Sequence, residues 1–141
     1  MNVTEGAPFA FIGLHHVQLA IPPDGEEDAR AFYGEVLGLS EVVKPPDLAS
    51  RGGCWFRGQG IELHLGVEEK FVPARKAHPG ILLDRIGPLS ERLIEHGFEV
   101  DWDRSFPGYR RFYSYDLHGN RLEFLERSFD RNSGMPNGFR W

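Results

Sequence analysis

Apolar and polar residues alternate along several short stretches of the chain, and between these stretches the apolar residues recur at helical spacing. The first alternating stretch covers 13–21 and ends at a proline, which is typical of a β-strand. The next stretch covers 24–39, with acidic residues at its front. Its apolar positions recur three and four residues apart, at Ala29, Phe32, Tyr33, Val36 and Leu37. This spacing predicts a helix that ends at Gly38.

Three more strands are predicted after this helix, and the same order then repeats. A short strand over 40–44 and a loop over 45–53 precede a hairpin over 54–67, which turns around Gly58 to Gly60. After a polar connector, the repeat consists of a strand over 78–86, a helix over 87–97 that ends at glycine, a strand over 98–103 and a hairpin over 109–127.

The chain therefore carries two tandem βαβββ modules, one over about 12–68 and one over about 77–127, with a turn-rich tail over 128–141. A module of roughly 60 residues is marginal alone, so we expect the two to bury a shared surface. The predicted fold is α+β, a single domain whose two sheets form a cleft. Open sheet edges gain by pairing, and we therefore expect a homodimer.

The repeat also places two histidines and two glutamates at similar positions. His16 and His78 open the first strand of their modules, and Glu62 and Glu123 lie in the last strands, at nearly equal separations. Alternate strand residues face opposite sides. Because the apolar residues of each strand occupy the face expected to pack on a helix, all four polar residues fall on the other face. The same parity directs His15 towards the helix.

Two imidazoles and one or two carboxylates converging on one point suit a divalent metal ion, with nickel, zinc, cobalt, manganese and iron(II) as candidates. A second carboxylate, from Glu62 or Glu123, could leave the metal and act as a catalytic base. His64 shares the face of Glu62 and could be a ligand, a partner behind the ligands or a proton relay. Gln18 and Tyr113 are further candidates to contact the ligands from behind. The alternative is that all these residues only line a polar cleft.

Composition narrows the class of protein. The net charge of −5 argues against nucleic acid as the main partner, and no long apolar run predicts a membrane span. A single cysteine, Cys54, excludes an internal disulfide and is best interpreted as a small core residue. These features fit a cytoplasmic location.

The two modules resemble the vicinal oxygen chelate superfamily, which includes glyoxalase I, extradiol dioxygenases, fosfomycin-resistance transferases and bleomycin-binding proteins. The resemblance rests on LHHVQLAI, RAFYGEVLGL, GIELHLG, AHPGILL and HGNRLEFLE, and it covers roughly 12–127. It implies one divalent metal ion held by His16, Glu62, His78 and Glu123, a set similar to that of bacterial-type glyoxalase I. The implied activity is that of an isomerase or lyase acting on a small oxygen-chelating substrate through an enediolate-type intermediate.

Two other activities stay open. An iron(II) extradiol-type dioxygenase would use two histidines and one carboxylate, although such enzymes are usually longer. A metal-free antibiotic-binding protein would use an aromatic groove, for which Trp55, Phe56, Trp102 and Tyr109 are candidates. The segment FPGYRRFY does not resemble the potassium-binding loop of fosfomycin enzymes, and no residues for glutathione are evident. A basic set is compatible with an anionic substrate but is typical of a solvated rim: Arg57, Arg75, Lys76, Arg110 and Arg111.

Overall fold

The structure, a computed structural model, describes residues 6–128, which form two four-stranded sheets of matching topology. The first sheet contains β1 Val17–Ile21, β2 Ser40–Val42, β3 Cys54–Gly58 and β4 Ile61–Val67, in the spatial order β1-β4-β3-β2. The second contains β5 Gly80–Leu82, β6 Asp101–Asp103, β7 Tyr109–Tyr115 and β8 Arg121–Arg127, in the order β5-β8-β7-β6. This repeated order confirms the predicted α+β fold of two modules.

The helices lie close to where the hydrophobic pattern places them. Helix α1 Glu26–Ala29 continues directly as a π-helical segment Arg30–Val36, and α3 Ile86–Glu95 is the helix of the second module. The glycines that follow, Gly38 and Gly97, have φ of +76° and +84°, left-handed values that favour glycine at a helix end. No helix within the described range is long and apolar enough to cross a membrane.

Some local predictions are wrong. The segment 45–53, predicted as a loop, contains the short helix α2 Pro46–Ala49, which proline at its first position favours. The first strand of each module is also shorter than predicted, so that His16 immediately precedes β1 and His78 lies two residues before β5. The predicted tail beyond residue 128 lies outside the described residues.

One hydrophobic core joins the two modules. It contains the buried face of the first helical segment, the inner face of α3 and the helix-side residues of both sheets. Its largest fully buried side chains are Phe32, Tyr33, Phe56, Phe112 and Phe124. Cys54 is 1% exposed among them, which confirms its interpretation as a core residue, and burial raises its pKa to about 11. Because the helix-side faces share this core, the opposite faces of the sheets are left on the outside.

Polar contacts fix the two modules to each other. The buried Asp116, in the turn between β7 and β8, accepts a hydrogen bond of 2.6 Å from the Tyr33 hydroxyl of the first module. Asn120, in the same turn, donates to the Ala20 carbonyl of β1 at 2.8 Å. On α3, Arg92 donates from Nε to the Val36 carbonyl at 2.7 Å, at the C-terminal end of the first helical segment, where a cation is favourable.

Candidate functional site

In the first module Glu62 is held by two nitrogen donors, one on each carboxylate oxygen. Arg57, opposite Glu62 on the neighbouring strand β3, donates from Nε to Oε1 at 2.7 Å. His64, two residues along β4, places Nε2 2.7 Å from Oε2. Both hydrogen bonds lower the pKa of Glu62 to about 2, that of His64 contributing more. Glu62 is therefore an anion at any physiological pH.

His64 lies within an aromatic stack. Its ring is parallel to the Trp55 indole on one side and to the His16 ring on the other, with a centroid distance of 3.9 Å in each case. Burial in this stack lowers the pKa of His64. Near neutral pH the ring is therefore uncharged, and the proton lies on Nε2, which faces the ionised Glu62. Gln18, a predicted neighbour of the ligands, lies opposite His64 on β1 and is exposed.

Glu123 has a comparable pair of partners in the second module. It is 7% exposed, and Arg111 donates from Nη1 to Oε2 at 2.9 Å. His78 places Nε2 2.9 Å from Oε1, while its Nδ1 lies 2.7 Å from the Lys76 carbonyl. Burying a carboxylate is costly unless it is paired. These two contacts explain how a strand that faces the core on its other side can carry a glutamate at this position.

Further side chains surround the Glu123 pair. Tyr113 lies directly opposite Glu123 on β7, and its ring meets the edge of His78 at a centroid distance of 5.4 Å. Arg111 also approaches Asp103, at 3.5 Å, and its guanidinium lies over the Phe106 ring at 5.0 Å. Tyr113 thus contacts His78, one of the predicted ligands.

The strand register shows that the modules are not fully equivalent at this site. Gln18 pairs with His64 and Gly80 pairs with Glu123. Since His16 and His78 each stand two residues before these positions, His64 rather than Glu62 occupies the place in module one that Glu123 occupies in module two. Although the sequence separations are similar, Glu62 therefore lies two residues before the position on β4 that corresponds to Glu123 on β8.

Within one chain the predicted ligands form two separate sets, His16, Glu62 and His64 in one and His78 and Glu123 in the other. In residues 6–128 no three histidine, cysteine, aspartate or glutamate side chains form a group that could hold a metal ion. Each set nevertheless has suitable donors. The 2.9 Å between His78 Nε2 and Glu123 Oε1 is close to the roughly 3 Å that separates two neighbouring ligand atoms, each about 2.1 Å from one ion. Each pair of donor atoms is therefore of a kind and spacing that a divalent ion accepts.

Sequence reasoning missed the roles of two arginines. Arg57 and Arg111 belong to the basic set considered for an anionic substrate, but both are paired with the glutamates instead. Arg57 and Glu62 are equally distant from the centre of the hairpin turn, so antiparallel pairing could have revealed their contact. Arg111 lies diagonally from Glu123, with Tyr113 directly opposite, and no sequence signal identifies that contact.

Two βαβββ modules of matching topology define the fold of the vicinal oxygen chelate superfamily. A glyoxalase family protein from Bacillus anthracis, whose crystal structure is known, has 46% sequence identity to this chain, and the two structures superpose with a TM-score of 0.81. The match covers 84% of this chain and 98% of the other. The chain therefore belongs to the glyoxalase family.

More distant structures share the fold. TnmS3, an antibiotic-binding protein from Streptomyces sp. CB03234, is 22% identical, with a TM-score of 0.63, covering 84% of this chain and all of its own. Lactoylglutathione lyase from Agrobacterium tumefaciens is also 22% identical, with a TM-score of 0.60 over 83% of this chain and 95% of its own. No family model and no curated protein sequence matches the chain. At 22% identity these two structures support the fold of the chain, and they do not identify its activity.

Proposed function

We propose that the protein is a metal-dependent, glyoxalase-like lyase or isomerase that acts on a small substrate with two neighbouring oxygen atoms. The observation that carries this proposal is the presence of one histidine–glutamate half-site on each module, on faces that are not covered by the shared core. In a homodimer, the His16 and Glu62 half of one chain would meet the His78 and Glu123 half of the other.

In this arrangement His16, His78, Glu123 and Glu62 would hold the ion. When bound, a divalent ion would supply positive charge beside two substrate oxygens, which stabilises the anion left after loss of a proton next to a carbonyl. Glu62 and Glu123 are the carboxylates available to accept that proton. Arg57 and Arg111 each fix one oxygen of these glutamates and leave the other directed towards a histidine.

We assign the fourth donor to Glu62 because of ring geometry. The lone pair of an imidazole nitrogen lies in the ring plane, and the planes of His16 and His64 are within 16° of parallel at 3.9 Å. Two planes so close to parallel meet only well beyond bonding distance, so no ion could lie in both ring planes and bind both nitrogens. With His16 as a ligand, His64 therefore serves to orient Glu62 through its hydrogen bond to Oε2.

Two variants test this assignment. Glu62→Gln removes the charge of a ligand, whereas His64→Gln removes only a partner of that ligand, which typically costs about 10- to 100-fold in metal affinity. We expect E62Q to weaken the binding of cobalt(II) or nickel(II) more than H64Q does, as measured by titration calorimetry. A larger loss in H64Q would show that His64 is the fourth donor, in agreement with the strand register.

The proposed reaction class is tested by two assays run side by side. With nickel, zinc or iron(II) added, the protein should convert the hemithioacetal of methylglyoxal or a related hydroxycarbonyl compound, and it should not consume oxygen with catechols. Elemental analysis of the purified protein identifies the metal. Iron-dependent oxygen uptake would instead support an extradiol-type dioxygenase and contradict the lyase proposal.

A second candidate is a metal-free protein that binds a small aromatic molecule. The observation in its favour is that both oxygens of Glu62 and of Glu123 already have partners within the chain. The Trp55 indole, next to His64 on the same face, would offer a stacking surface. This candidate predicts no turnover with any metal and a thermal shift with bulky aromatic ligands but not with metal ions.

A further inference from the structure

The segment that leads into β1 exposes an unusual amount of apolar surface. We call residues 8–14 the N-terminal arm. Four of its large apolar side chains are mostly exposed: Phe9 by 63%, Phe11 by 84%, Ile12 by 101% and Leu14 by 88%. Single exposed apolar residues are common on proteins, but a contiguous group of this size is typical of an interaction surface.

The arm has little support from its own chain. It belongs to no helix or strand, and Phe9 and Phe11 contact each other edge to face at a centroid distance of 5.7 Å. The arm nevertheless ends at Leu14, only two residues before His16, which belongs to the first half-site. Anything that covers the arm would therefore also position the His16 end of the site.

A groove lies beside the base of the arm, where the two modules meet. Its volume is about 1230 Å³, and Leu14 and His16 form part of its wall. Aliphatic side chains of both modules form a large part of the wall, among them Leu37, Leu39, Ile61, Ile81, Leu83 and Leu89, and Arg57 and Glu62 of the first half-site line another part of it. The aliphatic part of the groove matches the arm in character, yet Phe9, Phe11 and Ile12 of the same chain stay exposed.

We propose that the N-terminal arm of one copy packs into the module groove of a second copy. The inference rests on the proposed function in one respect, because the divided half-sites require a second copy to form one site. Under twofold symmetry each dimer would contain two such contacts, one from each arm. The groove wall includes His16, so that the seated arm would be continuous with the shared site.

The apolar area of the arm is sufficient for this role. A phenylalanine buries about 150–250 Å² in a packed environment, so Phe9 and Phe11 alone would contribute roughly 300 Å² per arm. A stable interface buries about 800 Å² on each partner. Two arms with their grooves would therefore supply a large share of a stable dimer interface.

The arm is tested by a double variant with a matched control. Phe11→Ser with Ile12→Ser replaces two side chains that are 84% and 101% exposed, so folding measured by circular dichroism should be unchanged. The dissociation constant of the dimer, measured by sedimentation equilibrium, should rise at least about 100-fold. The control is Val43→Ser with Val72→Ser, which changes two side chains that are also exposed, by 93% and 76%, outside the arm and the groove wall.

The groove is tested separately by Leu82→Glu, which places a charge on its wall at a side chain that is 47% exposed. This variant should weaken the dimer as the arm variant does. A wild-type monomer at about 10 μM, an arm variant that pairs as tightly as the wild type, or a control that weakens pairing equally would overturn the inference. A dimer that depends on the arm but binds no metal would refute the proposed function alone.

Discussion

Replacing Glu123 with alanine is expected to abolish metal binding and, with it, any metal-dependent activity. The change removes a carboxylate that we propose as a metal ligand, and it leaves the Arg111 guanidinium, which is 15% exposed, without its closest carboxylate. Loss of a ligand should cost at least about 100-fold in metal affinity, more than the roughly 10- to 100-fold typical of residues that only orient a ligand. Titration calorimetry with cobalt(II) or nickel(II) measures the loss directly.

Two controls accompany this variant. Glu123→Gln keeps the size of the side chain and one carbonyl oxygen, so it should preserve folding while it still weakens metal binding. Glu91→Gln changes an exposed glutamate on α3, far from the strand faces that carry the half-sites, and should have no effect. Wild-type metal affinity in both Glu123 variants would show that the glutamate only pairs with Arg111 and His78.

Replacing Asp116 with alanine is expected to give the largest loss of stability. Asp116 is 6% exposed and accepts four hydrogen bonds, from the Tyr33 hydroxyl, the His118 amide, the Asn120 amide and the Asn120 side chain. Each buried donor left without a partner costs about 1–3 kcal/mol. We expect D116A to lower the free energy of unfolding by at least about 3 kcal/mol and the melting temperature by roughly 10 °C.

Tyr33→Phe separates the contact between modules from the turn itself. Burial raises the pKa of Tyr33 well above its usual value, so its hydroxyl keeps its proton and donates to Asp116. Removing that hydroxyl leaves the other three donors satisfied and should cost about 1 kcal/mol. Asp101→Ala, at an exposed position of β6, should be neutral at equal protein concentration. A D116A variant as stable as the control would contradict the role of this turn in joining the modules.

Hydrophobic periodicity predicts most of the fold because helix and strand faces have different periods. The apolar spacing around Phe32 and the alternation in β4 and β8 depend only on local burial, and the structure confirms all three elements. The short helix α2 was not predicted, because it has no buried residue and because a single helical turn is too short to give a periodic hydrophobic pattern. The two glycine-terminated helices were predictable because positive φ favours glycine over other residues.

The site was predictable only in part. Strand parity can be read from the sequence alone, and it placed Glu62 and Glu123 on the faces of their strands opposite the helices. The pairing of each glutamate with an arginine, and the shift in register that brings His64 opposite Gln18, depend on contacts between strands. Whether two half-sites meet depends on how whole modules pack, and sequence periodicity carries no information about that packing.

The most direct test of a metal site shared between two copies is complementation between His16→Ala and His78→Ala. Each variant alone should bind no metal, whereas His96→Ala, at the exposed C-terminal end of α3, should bind as the wild type does. Co-refolding equal amounts of the two variants gives heterodimers in which one cleft carries both changes and the other carries neither. We expect the mixture to bind about one quarter of the wild-type amount of cobalt(II) per chain. A mixture that binds no metal, although the wild type does, would contradict a site built from two chains.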